Sequence, residues 1–221
     1  FFMTDAVGMS PELMGTITSV SSIIAWVLVF IAAMVVERVW FRWGQYRSYL
    51  LIAPIFAFIF ITGSWTDWTW IGVQAGSSAQ AILIAVCYVC GQFFINLFMI
   101  SATSMITVAS RTEADRALFS ARKGQGNVII KILFAAISLP MIIFFAGGDV
   151  TANAKPTVVS GYTITACIWG IVFVLAFVFL FKQFKGDDPT EKFCQERAEA
   201  KKRGESVEAI KSDVEKVPII K

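Results

Sequence analysis

Glu37-Arg38-Val39-Trp40-Phe41-Arg42-Trp43-Gly44-Gln45-Tyr46-Arg47 is the stretch on which the fold turns. It separates two long apolar runs and holds three arginines, Arg38, Arg42 and Arg47, against one acid, Glu37. Short loops rich in Lys and Arg stay on the cytoplasmic side of a membrane, so these arginines orient everything around them. Trp40 and Trp43 flank the charges, as indoles do between acyl chains and headgroups. Gly44 supplies the turn.

Composition agrees with that reading. The 221 residues are 57% hydrophobic and only 16% charged, with a mean hydropathy of +0.69, where soluble domains carry about 25% charged residues. The chain is read as an all-α, polytopic membrane bundle. It contains no histidine, which removes the commonest general base and metal ligand, and no acidic pair or nucleophile-base set lies in an apolar run, so an enzyme is not expected. No metal site is expected either. Cys87 and Cys90 have CxxC spacing but lie in a hydrophobic run without a second pair, and are read as packing residues together with Cys167; Cys194 lies outside the apolar runs.

Five apolar runs, at 14–36, 49–64, 79–108, 128–145 and 162–181, suit a ~30 Å hydrocarbon core. The helices around them are expected at about 11–36, 48–65, 79–108, 114–146 and 161–184, within a bundle domain of residues 1–185. Ser10-Pro11 starts the first. Gly91 marks a bend in the third, Ser110 with Glu113 has capping-box spacing for the fourth, and Pro140 bends or ends that helix. Residues 186–221 form a charged cytoplasmic segment, with a helix starting at Asp188-Pro189 and stopping at Gly204. It reads as a solvated connector, or as a headgroup patch through Lys201, Lys202 and Arg203.

Of the 19 Lys and Arg, three fall in the first inner loop, four in the second and ten from Lys182 onward, leaving Lys155 outside and Lys131 within a helix. That places the C-terminus in the cytoplasm and the N-terminus of this chain outside, in a multi-pass protein of the cell (inner) membrane. Nothing before Met14 could carry the N-terminus across, so a further helix is expected to precede Phe1.

Phe1-Phe2-Met3-Thr4-Asp5-Ala6-Val7-Gly8-Met9-Ser10, then Arg42-Trp43-Gly44-Gln45-Tyr46-Arg47, then Asp115-Arg116-Ala117-Leu118-Phe119-Ser120-Ala121-Arg122, and Gly147-Gly148-Asp149 followed by Gly161-Tyr162-Thr163, in this order and spacing, resemble the glycoside-pentoside-hexuronide:cation symporters, the melibiose-carrier-like family. The resemblance implies a major facilitator fold of two six-helix halves, of which this chain would be the N-terminal half without its first helix, partnered by that helix and a second half in the same or another chain. It implies transport of a sugar or other small polar solute by alternating access, with no nucleic-acid partner.

The family's cation-binding carboxylates fall here at Ala25, Val29 and Phe98, or Leu97 with a one-residue shift, and none is acidic. Coupling to Na+ or H+ therefore lacks its oxygen ligands at these positions, and no other cofactor is expected. The family's sugar-binding arginine falls at Arg122, which either makes forked hydrogen bonds to substrate or serves as an orientation charge. Lys131 is a functional candidate as an ionisable residue within a membrane helix, or a snorkelling one. Asn96 either faces the cavity or bonds a neighbouring helix, and Trp26 and Trp169 either stack on a sugar ring or pack against core and lipid. Arg38, Arg42, Gly44 and Arg47 are candidates for a conformational latch that pairs with acidic helix ends in one state. A non-transporting subunit or sensor on the same scaffold is the alternative function.

Overall fold

The computed structural model describes residues 2–3, 7–66, 68–110, 112–147, 159–188 and 190–203. Among them the regular structure is helical: α1 (Pro11–Arg38), α2 (Arg47–Ser64), α3 (Ser78–Ala109), α4 (Glu113–Phe145), α5 (Val159–Gln183) and α6 (Glu191–Arg203), with a single 3-10 turn at Trp68–Ile71. Five of these, α1 to α5, are long and apolar enough to cross a bilayer. The expected outer-loop charges Asp149 and Lys155, the expected stop at Gly204 and the start at Phe1 lie outside the described residues.

Local chemistry explains most boundaries. The Ser10 hydroxyl accepts from the Leu13 amide and Pro11 opens α1, where a missing N–H costs nothing. At the start of α4 the cap is Thr112 rather than Ser110: its hydroxyl accepts from the Asp115 amide at 3.1 Å and donates to the Asp115 carboxylate at 2.8 Å. Ser110 instead closes α3. Pro140 does not end α4, which continues to Phe145. α3 likewise runs through Gly91 without interruption; a Cβ there would lie 2.7 Å from Ile61 Cδ1, so this glycine serves the close approach of α2 and α3.

The helices pack in the order α1, α3, α2, α5, α4, with α2 and α3 sharing the largest interface and α3 meeting α4 only sparingly. Small residues let the backbones approach, as expected where lipid offers no hydrophobic drive for helix association. Gly170 of α5 lies under Phe58 of α2, Gly161 of α5 lies against the Ile142 carbonyl of α4, and Ala53 and Ala57 of α2 are buried. Cys87 packs beside Gly63, Cys167 is half-buried on α5 and Cys194 is buried on α6. Phe98 and Leu97 belong to the buried cluster around Ala32, Val36, Tyr49 and Ala53. Phe98 also packs its ring on Phe173 and Phe177.

Candidate functional site

Two polar regions stand out against this apolar bundle, and the first runs between α3 and α4. On α3, Gln92, Asn96, Thr103 and Thr107 recur at helical spacing and fall within about 60° of one another around the axis. On α4, Arg116, Ser120, Lys123, Asn127, Lys131 and Ser138 do the same within about 80°. The two stripes meet where Lys123 Nζ donates to Thr103 Oγ1 at 2.6 Å, the Thr103 hydroxyl itself donating to the Met99 carbonyl.

That contact fixes the register of the antiparallel pair. Lys131, eight residues further along α4, lies about 12 Å deeper, level with the α3 residues at 95–96. It is therefore about 21 Å along the bundle from the Ala109 end of α3 and three residues inside the apolar run 128–145 of its own helix. Asn96 is half-buried and Asn127 and Lys131 are exposed, and none has a hydrogen-bond or ion-pair partner among the described residues. Because α3 and α4 touch little, the stripes line a cleft rather than an interface.

A separate apolar groove of about 360 Å³ lies between α1 and α3, where Ala85 and Val89 carry on the face of Asn96 and Thr16 and Ser21 of α1 also line it. Ser138 continues the α4 stripe toward α5. The ring pair Phe134–Trp169, 5.3 Å between centroids, and the Gly161–Ile142 approach bracket it and set it opposite Thr165. Ser138 and Thr165 are buried with their hydroxyl oxygens unbonded, and so is Trp169 Nε1.

The sequence-predicted residues divide accordingly. Asn96 and Lys131 share the cleft. Arg122 does not: nine residues from Lys131, it projects about 180° away on α4, where it is exposed and, among the described residues, reaches only Gln125 Oε1 at 3.5 Å. Trp169 packs on Phe134 of α4, and Trp26 is 76% exposed on α1. Ala25 is half-buried and Val29 exposed on the same helix. Gln92, Thr103, Asn127 and Ser138 were missed by sequence reasoning, although the spacing of Arg116, Ser120, Lys123, Asn127 and Lys131 is a signal that the stripe exists.

The second region lies at the arginine-rich end, where the α1–α2 loop meets the segment before α6. α2 begins with a Tyr46 cap that supplies no side-chain acceptor. The Asp188 carboxylate fills that role: Oδ2 accepts from the Tyr46 and Arg47 amides at 3.0 and 3.1 Å, while Oδ1 accepts from the Thr190 amide at 3.0 Å and its hydroxyl at 2.6 Å. A negative charge here also opposes the positive end of the α2 dipole. Gly44 makes the approach feasible. Its φ of +106° suits glycine alone, and a Cβ would sit 2.5 Å from Asp188 Oδ2.

Arg47 pairs with Glu191, the two side chains being 5% and 8% exposed. Its Nε donates to the Phe181 carbonyl at 3.0 Å and its guanidinium lies 4.1 Å over the Phe181 ring. Glu191 also accepts from the Gly186 amide at 2.9 Å and Gln195 Nε2 at 3.2 Å. The Gln45 amide donates to Thr190 Oγ1 at 2.8 Å, and Trp40 meets Phe193 edge to face. Burial, with the carboxylates of Asp188 and Glu37 adding to it, pushes the Tyr46 phenol above its ordinary pKa, so it stays neutral.

Of the four predicted latch residues, Gly44 and Arg47 are thus buried in this clasp, and Arg47 does not snorkel to headgroups. Arg38 and Arg42 are exposed, without an ion pair among the described residues. The start of the tail is not a free connector, since Asp188 and Glu191 are both buried. The side chains of Lys201, Lys202 and Arg203 lie outside the described residues.

A family model described as MFS/sugar transport protein matches residues 1–220. Comparisons with curated proteins and with solved structures returned no match.

Proposed function

The chain belongs to the MFS/sugar transport protein family, and on that premise we propose that it moves a sugar or another small polar solute by alternating access, using the α3–α4 cleft as part of its binding wall. Membership makes it a membrane transporter of the major facilitator kind, with helices that span a bilayer. The observation that carries the finer reading is the pair of facing polar stripes, with Asn96 and Lys131 at one depth and no partner for either among the described residues. Polar groups at that depth are expensive unless they face a water-filled or solute-filled path. Asn96, Asn127 and Gln92 offer donors and acceptors of the kind sugar hydroxyls require.

The melibiose-carrier type of the resemblance supports this reading, with two changes. The cation carboxylates are replaced at Ala25, Val29 and Phe98, so the proposed mode is facilitated movement rather than Na+ or H+ symport through those positions. In the latch, Arg47 and Gly44 act as a fixed anchor on the proposed cytoplasmic face, and Arg38 and Arg42 remain to pair with acidic groups of a second helical half. Those same missing carboxylates favour the alternative of a non-transporting subunit or sensor.

Uptake of a sugar panel into vesicles carrying the full-length parent protein, with and without Na+ and proton gradients, tests the proposal. Saturable uptake indifferent to both gradients is expected. Gradient-driven uptake would place a coupling site elsewhere, and a folded, inserted protein that moves no solute would put the subunit reading first.

A further inference from the structure

Hydroxyls inside these helices commonly satisfy themselves locally: Thr16, Thr18, Ser22, Thr103 and Thr107 each donate to the carbonyl four residues earlier. Ser138 of α4 and Thr165 of α5 do not, although the carbonyls of Phe134 and Gly161 stand at the same spacing. The two are 8% and 4% exposed. They lie opposite each other, with the Gly161–Ile142 approach one turn to one side and the Phe134–Trp169 ring pair one turn to the other. Trp169 Nε1, one turn from Thr165, is likewise buried without an acceptor. Thr62, Trp68 and Ser101 also carry unbonded buried groups; what distinguishes the α4–α5 set is that two facing helices contribute to it. Packing within this chain closes all three atoms to water, so a helix added against the outside of the bundle does not reach them. Polar groups held in this way are costly, and in a membrane no solvent relieves them.

We propose that α4 and α5 form a two-state joint in which Ser138 and Thr165 are positioning residues. The packed state leaves their hydroxyls unbonded, and a second state, with the helices about 3 Å further apart, joins them through one water molecule. Hydroxyls both donate and accept while an indole N–H only donates, so a single water accepts from Trp169 and bonds both hydroxyls. The packed state keeps the ring contact of Phe134 with Trp169 and the close approach at Gly161. The open state exchanges part of that packing for three satisfied polar groups, and these opposed terms hold the joint near balance. This rests on the transporter reading above and adds to it a motion inside one helical half. Since α4 carries Lys131 and Asn127 while α3, which it meets sparingly, carries Asn96, opening the joint changes the width of the cleft.

The test compares the full-length parent protein with the double variant Ser138→Ala/Thr165→Val, which removes both hydroxyls at nearly constant volume. By deleting groups left unbonded in the packed state, it should raise the midpoint of thermal unfolding by a few degrees. It should also lower uptake of whichever panel sugar the parent moves about tenfold or more, because the open state loses its hydrogen bonds. Thr165→Ser, which keeps the hydroxyl, should behave as the parent. A third readout does not require transport. In a background with the native cysteines replaced by serine, spin labels at Leu139→Cys and Ile164→Cys, both exposed and level with the joint, should report two distances in the parent and only the shorter one in the double variant.

A single distance in the parent overturns the joint outright. So does a double variant no more stable than the parent, since both hydroxyls would then bond their own helix carbonyls in the packed state; either result leaves the transporter intact. A shift to the shorter distance with uptake unchanged keeps the joint and overturns its part in transport. If the parent moves no solute while its two distances still merge in the double variant, the transporter reading falls and the joint stands.

Discussion

The clasp at the arginine-rich end and the cleft between α3 and α4 hold charges in opposite ways. In the clasp every charged group has its partners: Arg47 has Glu191, the Phe181 carbonyl and its ring, and Asp188 divides its two oxygens between α2 and Thr190. In the cleft Lys131, Asn96 and Asn127 have none among the described residues. The clasp is thus built like an element of structure, since buried charges persist in a fold only when paired and hydrogen-bonded. A site that must accept and release a ligand leaves polar groups to be satisfied by that ligand. Substitutions in the first region should change stability and those in the second should change uptake.

The largest effect is expected from Glu191→Ala, which strands the Arg47 guanidinium in a buried setting and should cost about 3–5 kcal/mol of stability. Thermal unfolding of detergent-solubilised protein measures it. Replacing Arg47 and Glu191 together by methionine should recover much of the loss; a double variant as unstable as Glu191→Ala would show that the clasp does not act through this pair. Next comes Gly44→Ala, expected to cost about 1–3 kcal/mol through its left-handed backbone and the approach to Asp188. The steric share should shrink in an Asp188→Gly background, so the two changes should be non-additive by at least about 0.5 kcal/mol. Additive effects would mean that the backbone conformation alone sets the cost.

These two regions also show what a sequence discloses. The five spans, the Ser10-Pro11 start and the turn at Gly44 follow from hydropathy, capping chemistry and glycine's conformational freedom, all of them local. The clasp joins residues about 140 positions apart, Arg47 to Asp188 and Glu191, and the charge pattern of the tail reads as solvated because nothing in it names a partner. Asn96 and Lys131 were visible singly, as polar residues in apolar runs. That they share a depth depends on the Lys123–Thr103 register, while the exclusion of Arg122 follows from helical phase alone. The displaced cap at Thr112 reflects a competition between two hydroxyls two residues apart, which spacing to Glu113 did not resolve.

Within the cleft the expected effects on stability are small. Asn96→Ala and Asn127→Ala should stay within about 0.5 kcal/mol of the parent in thermal unfolding, as neither side chain has a partner to lose among the described residues. Each should nonetheless lower solute uptake several-fold if it contacts the solute, a hydrogen bond being worth about 0.5–1.5 kcal/mol. Lost stability without lost uptake would move the residue from the cleft to the helix interface.

The smallest effect is expected at Arg122. Its guanidinium projects away from the Lys131 stripe and, among the described residues, reaches only Gln125, at 3.5 Å. Arg122→Ala should therefore leave both stability and uptake close to those of the parent, the stability within about 0.5 kcal/mol. This comparison is sharper than either variant alone, because Arg122 and Lys131 carry the same charge on the same helix and differ in phase. If Arg122→Ala abolished uptake while Lys131→Gln did not, the solute-facing side of α4 would be the one opposite Ser138 and Phe134. The helix would then have to turn by about half a revolution against α5 in the transporting state, breaking the Phe134–Trp169 contact that now holds it.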